Sequence, residues 1–326
     1  MWRASRLLRG PRARLLAAGA VVGCMVCLGC APRDARVGSF PAPDAARPAL
    51  DAANDGPTLL FASEFESSGG LWNVQTILDR ASVVFGASHA NAGDGQVAEL
   101  VFPGDPSLVS TDAAGPGAAT EIASRQYFRF GTFRTRVQFA TCAPGEEIAS
   151  AVFMYFNDGR DADGNGVTDS PELDFQVFCG TPTFIVLTAW SDFQRETGGQ
   201  ETFAKSSRAI DTATGDVYDA VSPTERGFAR TGNSSALVRG GFPSPGAFYE
   251  LGIEWTSTHV RFFIVLDGAE VTLWDMTDIH YVPQVPLPLM YNLWHPQTHW
   301  VPQMTVADYP TNDGVMRIDW VRFFAP

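Results

Sequence analysis

The sequence predicts an all-β fold, a two-sheet antiparallel β-sandwich formed as one domain over residues 58–326. Three observations predict it. Ten short runs rich in Val, Ile, Phe and Trp tend to alternate apolar with polar side chains, as half-buried strands do. No stretch sustains the i, i+3, i+4 spacing of an amphipathic helix. Gly (31) and Pro (22) are plentiful among the 326 residues, as strands joined by many turns require. At 45% hydrophobic and 12% aromatic the chain can bury a large core, and roughly 270 residues suit a single sandwich.

Residues 1–30 read as an export signal. Arg3, Arg6, Arg9, Arg12 and Arg14 precede LLAAGAVVGCMVCLGC, an apolar run too short and too rich in Gly and Ala for a membrane span. It ends in cysteines after small residues, VVGC at Cys24 and CLGC at Cys30, as bacterial lipoprotein signals do. VVGC fits that pattern better by residue type. Cys30 stands where the polar chain begins and is the preferred lipidation site, with an ordinary cleaved signal as the alternative. The chain is therefore expected outside the cytoplasm, as a cell-envelope lipoprotein or a secreted protein, touching a membrane only through a lipid anchor. Residues 31–57, dominated by Ala, Pro, Asp and Arg, read as a flexible tether.

Strand signals follow in order: TLLFASEF (58–65), GQVAELVF (95–102), FRFGTFRTRVQFA (128–140), ASAVFMYF (149–156), ELDFQVF (172–178) and TFIVLTAW (183–190). After them come FYELGIEW (248–255), HVRFFIVLDG (259–268), PLPLMYNLW (286–294) and VMRIDWVRFF (315–324). The polar segment 194–246 is predicted to be a long loop excursion near a functional rim. There is no internal repeat.

Past the five leading arginines, 18 basic side chains face 36 acidic ones, a balance of −18. Such a surface repels nucleic acid and anionic headgroups and favours a neutral partner such as an uncharged glycan. Three of the five cysteines lie in the signal. Cys142 and Cys179 remain, each at the end of a strand-like run, and in an oxidising compartment they predict one disulfide. A metal site would need more ligands than these two.

Residues 158–179, DGRDADGNGVTDSPELDFQVFC, support two chemistries for Glu172. Counted from Asp161, the residues Asp161, Asp163, Asn165, Gly166, Asp169 and Glu172 fill positions 1, 3, 5, 6, 9 and 12 of an EF-hand loop. An EF-hand needs flanking helices, and FMYF and LDFQVF are strand-like. Two looser readings stay open: Asp161, Asp163, Asn165 and Asp169 holding a structural calcium, or an acidic turn with no ion. Counted forward, Glu172, Asp174 and Gln176 alternate with Leu173, Phe175 and Val177, so one strand face is acidic and the other apolar. The backbones of Glu172 and Gln176 are then about 13 Å apart, and their long side chains can lean together over Asp174. Retaining glycosidic hydrolysis uses two carboxyl groups about 5–5.5 Å apart, and a carboxylate between them tunes both.

The stretch PELDFQVF resembles the catalytic strand of glycoside hydrolase family 16, whose β-jelly-roll enzymes, of the concanavalin A-like lectin/glucanase type, cut β-glucans and related polymers. RQYFRFGTFRTRVQFA (125–140) and ASAVFMYFNDG (149–159) are similar to that family's strands before the site. FYELGIEWTSTHVRFFIVLDG (248–268) resembles its Trp-containing hairpin, MYNLWHP (290–296) its Asn-x-Trp cleft strand and VMRIDWVRFF (315–324) its closing strand. The resemblance runs from about residue 58 to the end. It implies Glu172 as nucleophile, Asp174 as the intervening carboxylate and no required cofactor. The family's proton donor, a glutamate, is replaced here by Gln176. An amide holds a glycosidic oxygen but has no titratable proton to deliver. Asp192 and Glu196, just beyond the next strand, are the candidates for a substitute acid. A carbohydrate-binding protein without turnover is the alternative to a hydrolase.

Aromatic rings bind the flat C–H faces of sugars. In MYNLW, Met290, Asn292 and Trp294 share a face, which makes Trp294 a candidate stacking platform and Asn292 a hydroxyl binder. Trp190 is a candidate subsite wall, and Tyr155 and Asn157 flank the acidic loop. Trp255 and Trp320, inside apolar runs, are expected in the core. His295 and His299 read as polar rim residues and not as a zinc site. The expected partner is a polysaccharide or oligosaccharide, bound by a monomer.

Overall fold

The computed structural model describes residues 57–108, 118–157, 159–161, 164, 166, 168–180, 183–195, 201–221, 227–296 and 308–326. Cys24, Cys30 and residues 31–56 of the expected tether lie outside them, as do Asp163, Asn165, Glu196 and His299.

The described strands are, in chain order, β1 (Leu59–Ser63), β2 (Trp72–Thr76), β3 (Ser82–Ser88), β4 (Gln96–Phe102), β5 (Ala118–Phe128) and β6 (Gly131–Gln138). β7 (Ala149–Tyr155), β8 (Asp169–Phe178), β9 (Phe184–Arg195), β10 (Glu201–Asp211), β11 (Asp216–Ala220) and β12 (Phe228–Asn233) follow. β13 (Tyr249–Trp255), β14 (Val260–Leu266), β15 (Ala269–Met276), β16 (Leu287–Trp294) and β17 (Gly314–Phe324) complete the set. They form two antiparallel sheets. The first runs β15-β14-β13-β6-β17-β4-β3, with β1 also on β17; the second runs β12-β11-β10-β9-β8-β7-β16-β5-β2. This is the two-sheet antiparallel sandwich that the alternation predicts.

The period-two pattern decides which side chains fill the space between the sheets. Leu173, Phe175 and Val177 of β8, Val152 and Met154 of β7, and Leu289, Tyr291 and Leu293 of β16 point inward. They meet Phe133 and Val137 of β6, Leu251, Ile253 and Trp255 of β13, and Ile318 and Phe323 of β17. Burying each such side chain contributes roughly 1.5–3 kcal/mol. Trp255 lies in this core as expected, its Nε1 donating to the Pro283 carbonyl at 3.0 Å.

Three expectations are corrected. The run 128–140 is not one strand: the chain turns at Arg129–Phe130, where Phe130 takes φ 56° and Gly131 φ 137°, and passes from β5 in the second sheet to β6 in the first. A Cβ on Gly131 would lie 2.3 Å from the Phe324 carbonyl oxygen, so the close crossing needs glycine there. The segment 194–246 is not a loop excursion; it contributes β10, β11, β12 and a helix, α1 (Ser235–Arg239), and extends the second sheet. Trp320 is not a core residue. It pairs with Arg136 on the outer face of the first sheet, where the Arg322 guanidinium lies 5.1 Å from its ring centroid.

The expected disulfide is present: Cys142 and Cys179, with Cα atoms 5.6 Å apart, tie the chain beyond β6 to the end of β8.

Candidate glycan cleft

Because alternate residues of β8 point inward, Glu172, Asp174, Gln176 and Phe178 face the other side of the second sheet. Neighbouring strands are in register there. Glu172 stands between Tyr155 of β7 and Trp190 of β9, Asp174 between Phe153 and Thr188, and Gln176 between Ala151 and Val186. One strand further, Asn292 of β16 pairs with Ala151, and Glu121 of β5 pairs with Asn292. The sheet thus gathers Glu172, Asp174, Gln176, Tyr155, Trp190, Asn292 and Trp294 on one face. Asn157 is not among them. It lies exposed past the end of β7, with its Oδ1 accepting from Gly159 N at 2.8 Å.

This face is covered. Glu172 is 7% exposed, Asp174 3% and Gln176 5%. The side chains of Glu172 and Gln176 both hydrogen-bond to Asp174, with the Gln176 amide donating. The two carboxyl groups are thus close enough for one proton to bridge them when either is protonated. Burial pushes the Asp174 carboxyl up to about 6, against the opposing pull of those two hydrogen bonds and the Lys205 charge. Asp174 Oδ1 and Gln176 Oε1 have no protein partner. Buried acceptors left open cost about 1–3 kcal/mol each, which a ligand supplying hydroxyl donors would recover.

The aromatic residues are packed more tightly than stacking platforms in an open groove. Trp294 meets Phe178 edge-on at 5.6 Å, and the Lys205 ammonium sits 4.4 Å from the centroid of the Trp190 ring. Asn292 points its Nδ2 at Glu121 Oε2, 3.5 Å away. His295, expected at the rim, is buried instead: its Nδ1 lies 2.9 Å from the Glu147 carbonyl oxygen and its ring meets Tyr309 edge-on. Burial lowers its proton affinity below the usual imidazole range. Among the described residues no group of three or more His, Cys, Asp or Glu side chains could hold a metal. Asp161 accepts from Gly164 N and Gly166 N at 2.7 and 2.8 Å, and Asp169 begins β8.

Two further buried carboxyl groups stand apart from the Glu172–Gln176 row. Asp192 reaches the cleft face but pairs with Asp169, on the opposite side of Glu172 from Gln176. At about 3.3 Å per residue the two positions are roughly 20 Å apart. Glu147 is pushed up to about 7 by burial, although Gly180 N donates to it at 2.8 Å. Gly180 lies beyond the end of β8, about 26 Å along the chain direction from Glu172. Reading the sequence missed Lys205, Glu121 and Glu147. Lys205 alone carried a signal, as the only lysine in the chain.

These features define a class: a two-sheet β-sandwich with a row of buried carboxyl groups along one strand of its second sheet. No family model and no curated protein matches the sequence. Solved structures similar in fold include a β-glucanase of Bacillus licheniformis, 16% identical over 84% of this chain and 100% of that one, TM-score 0.46. Another is a family 16 glycoside hydrolase for mixed-linkage glucan from Bacteroides ovatus, solved with a product, at 12% identity over 82% and 100%, TM-score 0.47. A third is a laminarinase catalytic domain from Thermotoga maritima, 15% identical over 83% and 98%, TM-score 0.46.

Proposed function

We propose that the chain is an exported glycoside hydrolase of the family 16 type, acting on β-glucan or a related polysaccharide with retention, and impaired at its acid position. One observation carries this reading: Glu172, Asp174 and Gln176 project from one strand onto one face and are joined by hydrogen bonds. Glu172 attacks the anomeric carbon. Asp174 shares its proton and keeps Glu172 oriented. Gln176 stands where a carboxylic acid would protonate the departing oxygen, and it has no proton to give. Trp294, Asn292 and Tyr155 border the sugar sites. The anchor is the lipidated Cys30 or Cys24, and the protein works as a monomer.

A second reading, a carbohydrate-binding protein without turnover, is favoured by the same amide. With its nitrogen committed to Asp174, Gln176 presents an acceptor oxygen to the cleft.

The test compares wild type, Gln176→Glu and Glu172→Gln on β-glucans and on an aryl glycoside whose leaving group needs no proton. Wild type should cleave the aryl glycoside, and Gln176→Glu should gain about 10²–10⁴-fold on polymer. Glu172→Gln should cleave neither. Binding of β-glucan oligomers without cleavage by any variant selects the second reading; neither binding nor cleavage sinks both.

A further inference from the structure

Among the described residues, the cleft face carries a lysine that the chemistry above does not use. Lys205 is the only lysine in a chain with 22 arginines. Trp190 stands between Glu172 and Lys205 in the strand register, and β10 bulges between Ala204 and Lys205. The lysine stem crosses from β10 onto the ring of the strand beside β8, with Nζ 4.4 Å from the ring centroid. Among the described residues, the titratable groups that the register puts on this face are Glu172 and Asp174 on β8, Asp192 on β9, Tyr155 on β7 and, further along, Glu121 on β5. β16 brings Asn292 and Met290, which carry no charge.

We propose that Lys205 is a positioning residue of the cleft, whose ammonium, seated on Trp190, holds the Glu172–Asp174 pair in the state with one proton and one negative charge. Two carboxyl groups two residues apart on a buried face resist ionising together, and the second proton is held far more tightly than the first is lost. A nearby cation favours the anionic member of such a pair. The Lys205 charge does act on Asp174 in that direction. The ring fixes the cation, since an ammonium over an indole face is attracted by its quadrupole. Lysine suits this task better than arginine. A guanidinium fork would take a carboxylate bidentately and block its use as a nucleophile, whereas an ammonium acts as a compact charge. The role deepens the proposed function and rests on it for its purpose, but its test needs no turnover.

The measurement is the titration midpoint of the cleft carboxyl pair in ligand-free protein, followed by its infrared carboxyl bands. Lys205→Met keeps a long chain against Trp190 and removes the charge; Lys205→Arg keeps the charge. Acylating the single lysine side chain of folded wild type neutralises the same group without refolding, and decides the matter if Lys205→Met does not fold. The midpoint should rise by about one pH unit in the Met variant and in acylated protein, and stay at or below its wild-type position in the Arg variant, whose charge is kept. An unchanged midpoint after loss of the charge overturns the proposal, as does an Arg variant that shifts as far as the Met variant. A shifted midpoint in protein that cleaves no glycoside would leave this role standing and remove the hydrolase reading.

Discussion

The two sheets each carry a polar face away from the shared core, built by the same alternation and used in opposite ways. On the outer face of the first sheet, charges are half-exposed and paired. Arg134 bridges Glu250 and Glu270, and Arg261 bridges Glu254 and Glu270 at 2.7 and 3.1 Å. Both guanidiniums cover the Phe263 ring, which itself lies across Gly252, where a Cβ would come within 2.3 Å of it. A groove of about 390 Å³ crosses this face, and Arg134, Glu250, Glu254, Arg261 and Glu270 lining it are already engaged with one another. On the second sheet, Glu121, Glu172, Asp174 and Asp192 are nearly inaccessible, and the acceptor oxygens Asp174 Oδ1 and Gln176 Oε1 are open. Exposed pairs are inexpensive because water does most of the solvation. Buried carboxyl groups cost stability, so the same alternation is cheap on one face and costly on the other.

The largest effect should come from the buried side. Glu147 has a folded-state value of about 7 against an ordinary 4.5. Between those values folded Glu147 binds more protons than unfolded Glu147, so its contribution to stability is full below about pH 4.5 and is lost as pH rises through 7, by roughly 3 kcal/mol. Glu147→Gln keeps an acceptor for Gly180 N and removes the titration. Denaturant unfolding from pH 5 to 8 should find the variant about 2–3 kcal/mol more stable than wild type at pH 8, converging with it toward pH 5. Parallel curves would show that Glu147 bears its charge in the folded protein at no cost, and the contrast between the faces would weaken.

A smaller effect is expected on the outer face. Arg261→Met keeps cover over Phe263 and breaks two ion pairs. It should cost no more than about 1 kcal/mol in low salt, with the difference shrinking near 1 M salt. A loss of several kcal/mol would mean that the outer pairs behave as buried ones.

This contrast also marks how far the sequence could be read. The core strands were legible because β8, β13, β14, β16 and β17 carry large apolar residues in alternation. β10, β11 and β12 were not, because ETFAKSSRAID, DVYDA and FARTGN offer small and polar side chains where the second sheet nears its edge. Alternation told that Glu172, Asp174 and Gln176 share a face, and the structure has them do so. It could not tell that the face is covered, since burial depends on what stacks above a sheet. For that reason His295 was expected at a rim, and Trp320 inside a core. Lys205 meets Trp190 only through a cross-strand register that passes a bulge, information that no local pattern contains.

The smallest effect concerns the loop before β8, which ligand spacing alone makes a candidate calcium site. Asp161, its first acid, already receives two backbone N–H groups from Gly164 and Gly166. Gly164 and Gly166 both take positive φ, 76° and 89°, to turn those donors inward. A carboxylate so engaged stabilises the turn by itself. Asp169 pairs across strands with Asp192 of β9, and Glu172 is committed to Asp174. Calcium at about 5 mM should therefore leave the melting temperature unchanged. An ion bound with a Kd near 1 mM would contribute about 1 kcal/mol, a rise of roughly 2–4 °C for a domain of this size. A rise of that order, abolished by Asp161→Asn, would assign the loop to an ion and detach it from the economy of the cleft.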